Sequence, residues 1–116
     1  MSSTDQRPTL RPAVGKVEIE RAGSYDRLKI VSVPAFEPGD DEVVVTVHAI
    51  GVNYADCMVR MGLYESAKEF VGWPVTPGFE VAGIVKKVGE RVTEFKVGTP
   101  VFAVTLFGGY AGEICV

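Results

Sequence analysis

Polar and apolar residues alternate along several short stretches of the chain, a pattern typical of β-strands with one face toward solvent. In the strongest stretch, residues 42–50, both alternating faces are mostly apolar, which predicts a strand in the centre of a sheet. Turn residues such as Gly, Pro and Asp separate the stretches. About six short strands are predicted in this way, at residues 16–20, 28–33, 42–50, 81–88, 101–105 and 110–116.

The spacing of apolar residues changes from that of a strand to that of a helix after the predicted central strand. At residues 54–61, Ala55, Met58 and Val59 can share one side of a helix of about two turns, and Gly62 is a suitable stop. Residues 65–77 are predicted to form a mobile loop. The fold class that follows is mainly β, a small barrel or partly open barrel of short strands with one short helix.

The chain of 116 residues is long enough for one domain with a real core. We expect residues 1–13 to be a flexible tail and residues 14–116 to form the domain. The start of the chain is polar and has no apolar signal core, and no apolar run approaches the roughly 20 residues that span a bilayer. These features predict a cytoplasmic protein with no integral membrane segment.

Charge and cysteine content narrow the class of partner. The net charge of −3 argues against nucleic acid as a partner, since nucleic acid requires a basic surface. Cys57 and Cys115 are too few for a disulfide scaffold and belong to no C-x-x-C pair, so free thiols are expected. The single histidine, His48, lies within the predicted central strand and is interpreted as structural.

A set of ordered motifs carries a family resemblance. The motifs are residues 51–56 (GVNYAD), 60–64 (RMGLY), 74–85 (PVTPGFEVAGIV), 88–89 (VG) and 97–101 (VGTPV). Each is weak alone, but in this order and spacing they resemble the N-terminal, GroES-like domain of medium-chain dehydrogenases/reductases. The resemblance is to the zinc-free quinone oxidoreductase type, within the subgroup of vesicle amine transport protein-like reductases.

The resemblance implies a GroES-like barrel that packs, in the full family, against a Rossmann domain. No dinucleotide fingerprint is present, because the glycines at residues 108–112 lie between short strands and open no helix. The Rossmann domain is therefore expected to be absent from this chain, and the chain is expected to be a part of a longer enzyme, truncated before its nucleotide-binding half. That missing domain is the first expected partner.

Zinc-dependent relatives place a Cys where this chain has Asn53 and a His where it has Phe79. Glu80 alone cannot hold the ion, so the resemblance implies that no metal site is present. Without a Lewis acid, hydride transfer requires an acceptor that is already electrophilic, such as a quinone or an α,β-unsaturated carbonyl. The resemblance implies NADPH as the hydride donor in the full-length enzyme.

The resemblance also implies the site residues. Asn53 and Met58 are expected to contact the cofactor, and the expected substrate pocket contains Tyr54, Asp56, Tyr64 and Glu80. Each has an alternative role in the fold. Asn53 suits a turn after the strand, Asp56 suits the first turn of a helix, and Met58 suits a core gap. Tyr54 and Tyr64 could pack a loop against the barrel, and Glu80 is expected to anchor a supporting hydrogen bond rather than act as a general acid.

Two functions remain open at this point. The first is the substrate-side domain of a zinc-independent, NADPH-dependent reductase of quinones or enones, inactive as an isolated chain. The second is a non-catalytic GroES-like interaction module that self-associates, as a homodimer, through the apolar edge strand around Ile114.

Overall fold

The computed structural model describes residues 13–116, and within them the chain is mainly β, as predicted. The predicted tail lies outside the described residues, apart from Ala13, and stays a prediction. The described strands number six, as the alternation indicated. They are β1 Ala13–Glu18, β2 Lys29–Pro34, β3 Val43–Ile50, β4 Glu80–Val88, β5 Pro100–Val104 and β6 Glu113–Cys115.

Helix content exceeds the prediction. The expected helix forms as α1, Tyr54–Arg60, but residues 65–77 are not a loop throughout, because α2 occupies Glu65–Phe70. One turn of 3-10 helix also forms at Tyr25–Arg27. The prediction of a single short helix was therefore wrong. Burial of Ala67 against the core stabilises α2, an effect that a six-residue stretch does not reveal through its own periodicity.

The strands form two antiparallel sheets that are joined through β1. One sheet has the order β5-β4-β3-β6, which confirms that β3 is central, and the other is β1-β2. The Val17 N–H donates to the Tyr110 carbonyl at 2.9 Å, and the Gly112 N–H donates to the Gly15 carbonyl at 2.9 Å, so β1 continues the surface beyond β6. No ladder joins β2 to β5 among residues 13–116, and the barrel is therefore partly open.

Two apolar clusters hold the sheets and helices together. The first packs α1 and α2 against the loops and consists of Ile19, Val59, Ala67, Val75 and Phe107. The second lies on the inner face of the larger sheet and consists of Val43, Val45, Val81, Val85 and Ile114. Ile114, at 6% exposure, is therefore a core residue. Its burial removes it from the edge contact that the sequence suggested for self-association.

The central pair of strands is in close backbone contact at Gly83. A β-carbon added there would lie 1.9 Å from the Thr46 carbonyl oxygen, far inside van der Waals contact. Gly83 pairs with Val47 next to an irregularity in the β3–β4 register. Glycine is therefore required because the backbone of β3 occupies the space of a side chain.

We predict that Gly83→Ala destabilises the fold by about 2–3 kcal/mol, because β3 must move away from β4 to admit the methyl group. Gly15→Ala is the matched control, since its β-carbon would meet only Ile30 Cγ2, at 3.9 Å. Urea denaturation measures both free energies of unfolding. Equal stability of the two variants would contradict the close approach at Gly83.

Candidate functional site

The end of β3 and the start of α1 place the predicted site residues. The Gly51 N–H donates to the Glu80 carbonyl at 3.1 Å, which keeps the chain beside β4 as it leaves the strand. Asn53 then adopts an extended conformation and is the N-cap of α1. The Asn53 N–H donates to Oδ2 of Asp56 at 2.9 Å, so the first turn of the helix is closed by a carboxylate. Asn53 and Asp56 are thus in contact. Asn53 lies in the turn after the strand and Asp56 in the first turn of the helix, which are the structural roles considered for them from the sequence.

A tyrosine that the sequence did not single out completes this contact. The Tyr110 hydroxyl donates to Oδ2 of Asp56 at 2.6 Å, across 54 residues of sequence. Asp56 is only 6% exposed, and its Oδ1 has no hydrogen-bond partner among residues 13–116. The side chain therefore uses one oxygen for two donors and keeps a buried acceptor free.

Burial and the neighbouring carboxylate both affect Tyr110. Removal from water raises the pKa of its phenol above the ordinary value of 10.0, and the hydrogen bond to Asp56 raises the pKa further. Tyr110 therefore keeps its proton and acts as a donor to Asp56 over the physiological pH range.

The backbone around Tyr110 is fixed by a close glycine contact. The Tyr110 N–H donates to the Pro77 carbonyl at 2.9 Å. A β-carbon added to Gly78, whose φ is +113°, would lie 2.7 Å from Gly109 Cα. The Gly108-Gly109 turn was predicted from sequence, but its contact with residues 77–78 could not be, since no local pattern encodes it.

An apolar groove of about 440 Å³ lies beside Tyr110. Val52, which is 78% exposed, contributes to the groove immediately before Asn53. His48 and Lys16 are polar residues at its lining, and Ile50 adds apolar surface. The volume of the groove is in the range of small-molecule sites, and the polar residues at its lining could orient a ligand.

The helix residues predicted for the site differ in accessibility. Asn53 and Met58 are half-buried, whereas Tyr54 is 76% exposed and projects from the first turn of α1. Cys57 is a free, half-buried thiol. Asn53, Tyr54 and Met58 therefore remain on one short helix and its cap, but they do not form a closed pocket by themselves.

Tyr64 lies apart from this cap, in an aromatic cluster. Its ring centroid is 5.5 Å from that of Phe79 and 6.0 Å from that of Phe107, and the two phenylalanines are 5.2 Å apart. Phe107 has a φ of +65°, a conformation that non-glycine residues rarely adopt. The packing role considered for Tyr64 is therefore present. Phe107 was missed because a backbone angle gives no sequence signal.

Glu80 is exposed, and its side chain lies against Gly51, where an added β-carbon would come within 1.9 Å of Oε1. Its backbone carbonyl holds Gly51, but the structure gives its carboxylate no hydrogen bond to any of residues 13–116. Among the same residues no group of three or more His, Cys, Asp or Glu side chains could hold a metal ion.

With this geometry established, the comparisons with known proteins identify the family. Residues 39–115 match the sequence profile of the alcohol dehydrogenase GroES-like domain. The chain belongs to this family. The matched residues contain the four strands of the larger sheet, β5-β4-β3-β6, and helix α1.

Two curated relatives and one solved structure are similar to this chain. The domain is 42% identical over 96 residues to the synaptic vesicle membrane protein VAT-1 homolog of Rattus norvegicus, covering 81% of this chain and 23% of that protein. It is 43% identical over 97 residues to the quinone oxidoreductase of Sus scrofa, covering 82% and 29%. It matches the Escherichia coli quinone oxidoreductase complexed with NADPH with a TM-score of 0.80 and 32% identity, covering 88% and 30%.

The family resemblance inferred from the motifs is thus confirmed, including its quinone oxidoreductase and VAT-1 branches. The chain spans between 23% and 29% of the length of these curated relatives. Residues 13–116 contain no alternating strand–helix–strand unit of the Rossmann type. No described helix is long and apolar enough to cross a membrane.

We predict that Tyr110 and Asp56 are energetically coupled. Tyr110→Phe should lower the free energy of unfolding by about 1–3 kcal/mol, because a buried carboxylate loses one of its two donors. The combination with Asp56→Asn should cost less than the two single changes added together. Urea denaturation of the four proteins measures this coupling. Tyr54→Phe, which changes an exposed tyrosine, is the control and should have no effect, and strict additivity would contradict the contact.

Stability should also depend on Tyr110 at high pH. Because its pKa is raised on folding, the contribution of the protonated phenol is complete below the ordinary value of 10.0 and is lost as the pH rises above it. The free energy of unfolding should therefore fall more steeply above pH 10 in the native protein than in Tyr110→Phe. Parallel curves for the two proteins, measured by urea denaturation from pH 8 to 11, would count against this assignment.

Proposed function

We propose that this GroES-like domain is the substrate-side part of a zinc-independent oxidoreductase that transfers hydride from NADPH to a quinone or an α,β-unsaturated carbonyl. The observation that carries the proposal is the match to an NADPH-bound quinone oxidoreductase over 88% of this chain. The site supports the proposal through the α1 cap, where Asn53 stands at the end of the central strand, beside the apolar groove.

Asn53 is proposed to orient the cofactor and the acceptor. Its amide carries both a donor and an acceptor group, so one end can bind the carboxamide of a nicotinamide and the other a carbonyl oxygen. Asp56 and Tyr110 are positioning residues in this proposal, since Asp56 holds the backbone N–H of Asn53 and Tyr110 holds Asp56. Rigid placement of this kind lowers the entropy cost of bringing the reactants together.

The residues present fit one side of a cofactor site. The free Oδ1 of Asp56 is a buried acceptor close to the cap, and Met58 provides a half-buried, adaptable apolar surface on the same helix. When bound, NADPH supplies the hydride and its two electrons. The domain itself orients the acceptor and limits the access of water through the groove lined by Val52, Ile50 and Tyr110.

The acceptor class follows from the groups available on this side of the site. Quinones and enones are flat and apolar with one or two carbonyl oxygens, which suits an apolar groove with Asn53 at its border. Tyr54 is exposed on the first turn of α1 and is proposed to contact the acceptor. Glu80 is proposed to border the site through its position against Gly51, and Tyr64 to support the adjoining loop through the aromatic cluster.

The isolated chain is proposed to be inactive, because it provides only one side of the cofactor site. Its parent is proposed to include a Rossmann domain, in keeping with relatives that are more than three times as long as the matched segment. We also propose a cytoplasmic location for the protein, although the name of one relative refers to a vesicle membrane.

We predict that a chimera containing this domain in place of the matching segment of the Escherichia coli quinone oxidoreductase oxidises NADPH in the presence of a quinone. Within the chimera, Asn53→Ala should lower kcat/KM by about 10- to 100-fold, since it removes one or two hydrogen bonds to the reactants. Initial rates of NADPH oxidation measure the effect.

Ser66→Ala, at a polar position on α2 away from the α1 cap, is the control and should leave the rate unchanged. The isolated chain should show neither turnover nor saturable quenching of its single tryptophan, Trp73, by NADPH. A well-folded chimera that lacks quinone-dependent NADPH oxidation would overturn the proposed function, and so would an Asn53→Ala chimera with undiminished kcat/KM.

A further inference from the structure

We propose that β5 is a pairing edge through which two copies of this chain associate, strand to strand and antiparallel. The proposal goes beyond the proposed function and does not depend on it. In the larger sheet β5 has one neighbour, β4, and its other edge is not paired with any of residues 13–116.

The main-chain groups of β5 alternate between the two edges. The Thr105 N–H donates to the Phe79 carbonyl at 2.7 Å, and the Val85 N–H donates to the Thr99 carbonyl at 2.9 Å. The odd-numbered residues of the strand therefore face β4. The main-chain groups of Phe102 and Val104 face outward, and an unpaired row of this kind is a template for another strand.

The side chains of the same two residues form an exposed apolar surface. Phe102 is 84% exposed and Val104 is 83% exposed, and Leu106, directly after the strand, is 66% exposed. All three are large apolar side chains, and Phe102 and Val104 lie on the same face of the sheet because they are two residues apart. Such a continuous apolar edge is the feature that soluble monomers usually protect.

No charged residue lies on β5 itself, and Glu80 of β4 is opposite Val104. The sequence contains no Asp, Glu, Lys or Arg from residue 97 to residue 112, so the nearest charges along the chain are Lys96 and Glu113. Pro100 blocks a donor at the start of the strand and limits the pairing to its second half.

The opposite edge of the sheet is covered. The Phe36 N–H donates to the Glu113 carboxylate at 3.1 Å, and Cys115 Sγ lies 3.5 Å from the Glu37 carbonyl oxygen. The segment before β3 thus shields β6, which is also only three residues long. Self-association through β6, which the sequence suggested, is accordingly replaced by self-association through β5.

A second copy fits the β5 edge because the edge is complementary to itself. A twofold axis at Ala103 places Phe102 opposite Val104 of the other copy, and each pair exchanges both of its main-chain hydrogen bonds. The pair is aromatic against β-branched, a favourable combination across strands. Identical uncharged segments also meet without electrostatic repulsion.

The size of the contact sets the expected strength. The three side chains could bury about 400 Å² per copy, so two copies would bury about 800 Å², less than the roughly 1,000 Å² that a stable specific interface requires. A weak dimer is therefore expected. The twofold arrangement occupies the half of β5 that is able to pair, and since β6 is shielded, assembly should stop at two copies.

The test is sedimentation equilibrium of the chain over a wide concentration range. The native protein should change from monomer to dimer mass as the concentration rises, without larger species. Phe102→Lys should raise the dimer Kd by at least about tenfold, because it places a charge at the centre of the contact in both copies. Phe70→Lys is the matched control, since Phe70 is 67% exposed on α2, and it should leave the Kd unchanged.

Amide hydrogen exchange identifies the strand involved. Protection of the Phe102 and Val104 amides should increase with protein concentration, whereas the Val101 and Ala103 amides, which face β4, should be protected at every concentration. A chain that stays monomeric at millimolar concentration would overturn the proposal. It would also be overturned by a Phe102→Lys variant that dimerises as strongly as the native protein.

Discussion

The contact between β3 and β4 at Gly83 is the constraint on which the other contacts depend. β3 and β4 are the two inner strands of the larger sheet, and their register is set where Gly83 admits the Thr46 carbonyl. That register determines where β3 ends, and the Gly51–Glu80 hydrogen bond then directs the chain into the α1 cap. The position of Asn53 is thus a consequence of strand pairing.

The Asp56 carboxylate connects the start of α1 to Tyr110, a residue 54 positions away in sequence. It closes the first turn of α1 and accepts a hydrogen bond from the hydroxyl of Tyr110, which belongs to the segment between β5 and β6. One buried carboxylate consequently joins the helix cap to the segment of Tyr110, which lines the groove. A buried carboxylate with too few donors is costly, so the site combines stability with a free acceptor atom that a ligand or a water molecule could use.

Local pattern predicted most of the strands, the central position of β3, helix α1 and the family, because each of these has a periodic or ordered sequence signal. Contacts between distant segments were not predictable. Tyr110 lies 54 residues from Asp56, and nothing near it in sequence indicates a partner. Helix α2 depends on burial of Ala67, and the side chain of Ile114 is buried in the core although β6 is the last strand of its sheet. In both cases tertiary packing decided a question that an alternating pattern leaves open.

The bond between Phe36 and Glu113 joins residues that are 77 positions apart, and Lys86 of β4 contacts the same carboxylate. Both strands that pair with β3, namely β4 and β6, are therefore synthesised after it on the ribosome. β3 can pair first with β4, but its second neighbour and the shield over that edge form only after residue 115 has left the exit tunnel. Until then the nascent chain exposes the inner face of β3. A chaperone that recognises apolar strands can bind β3 during that time.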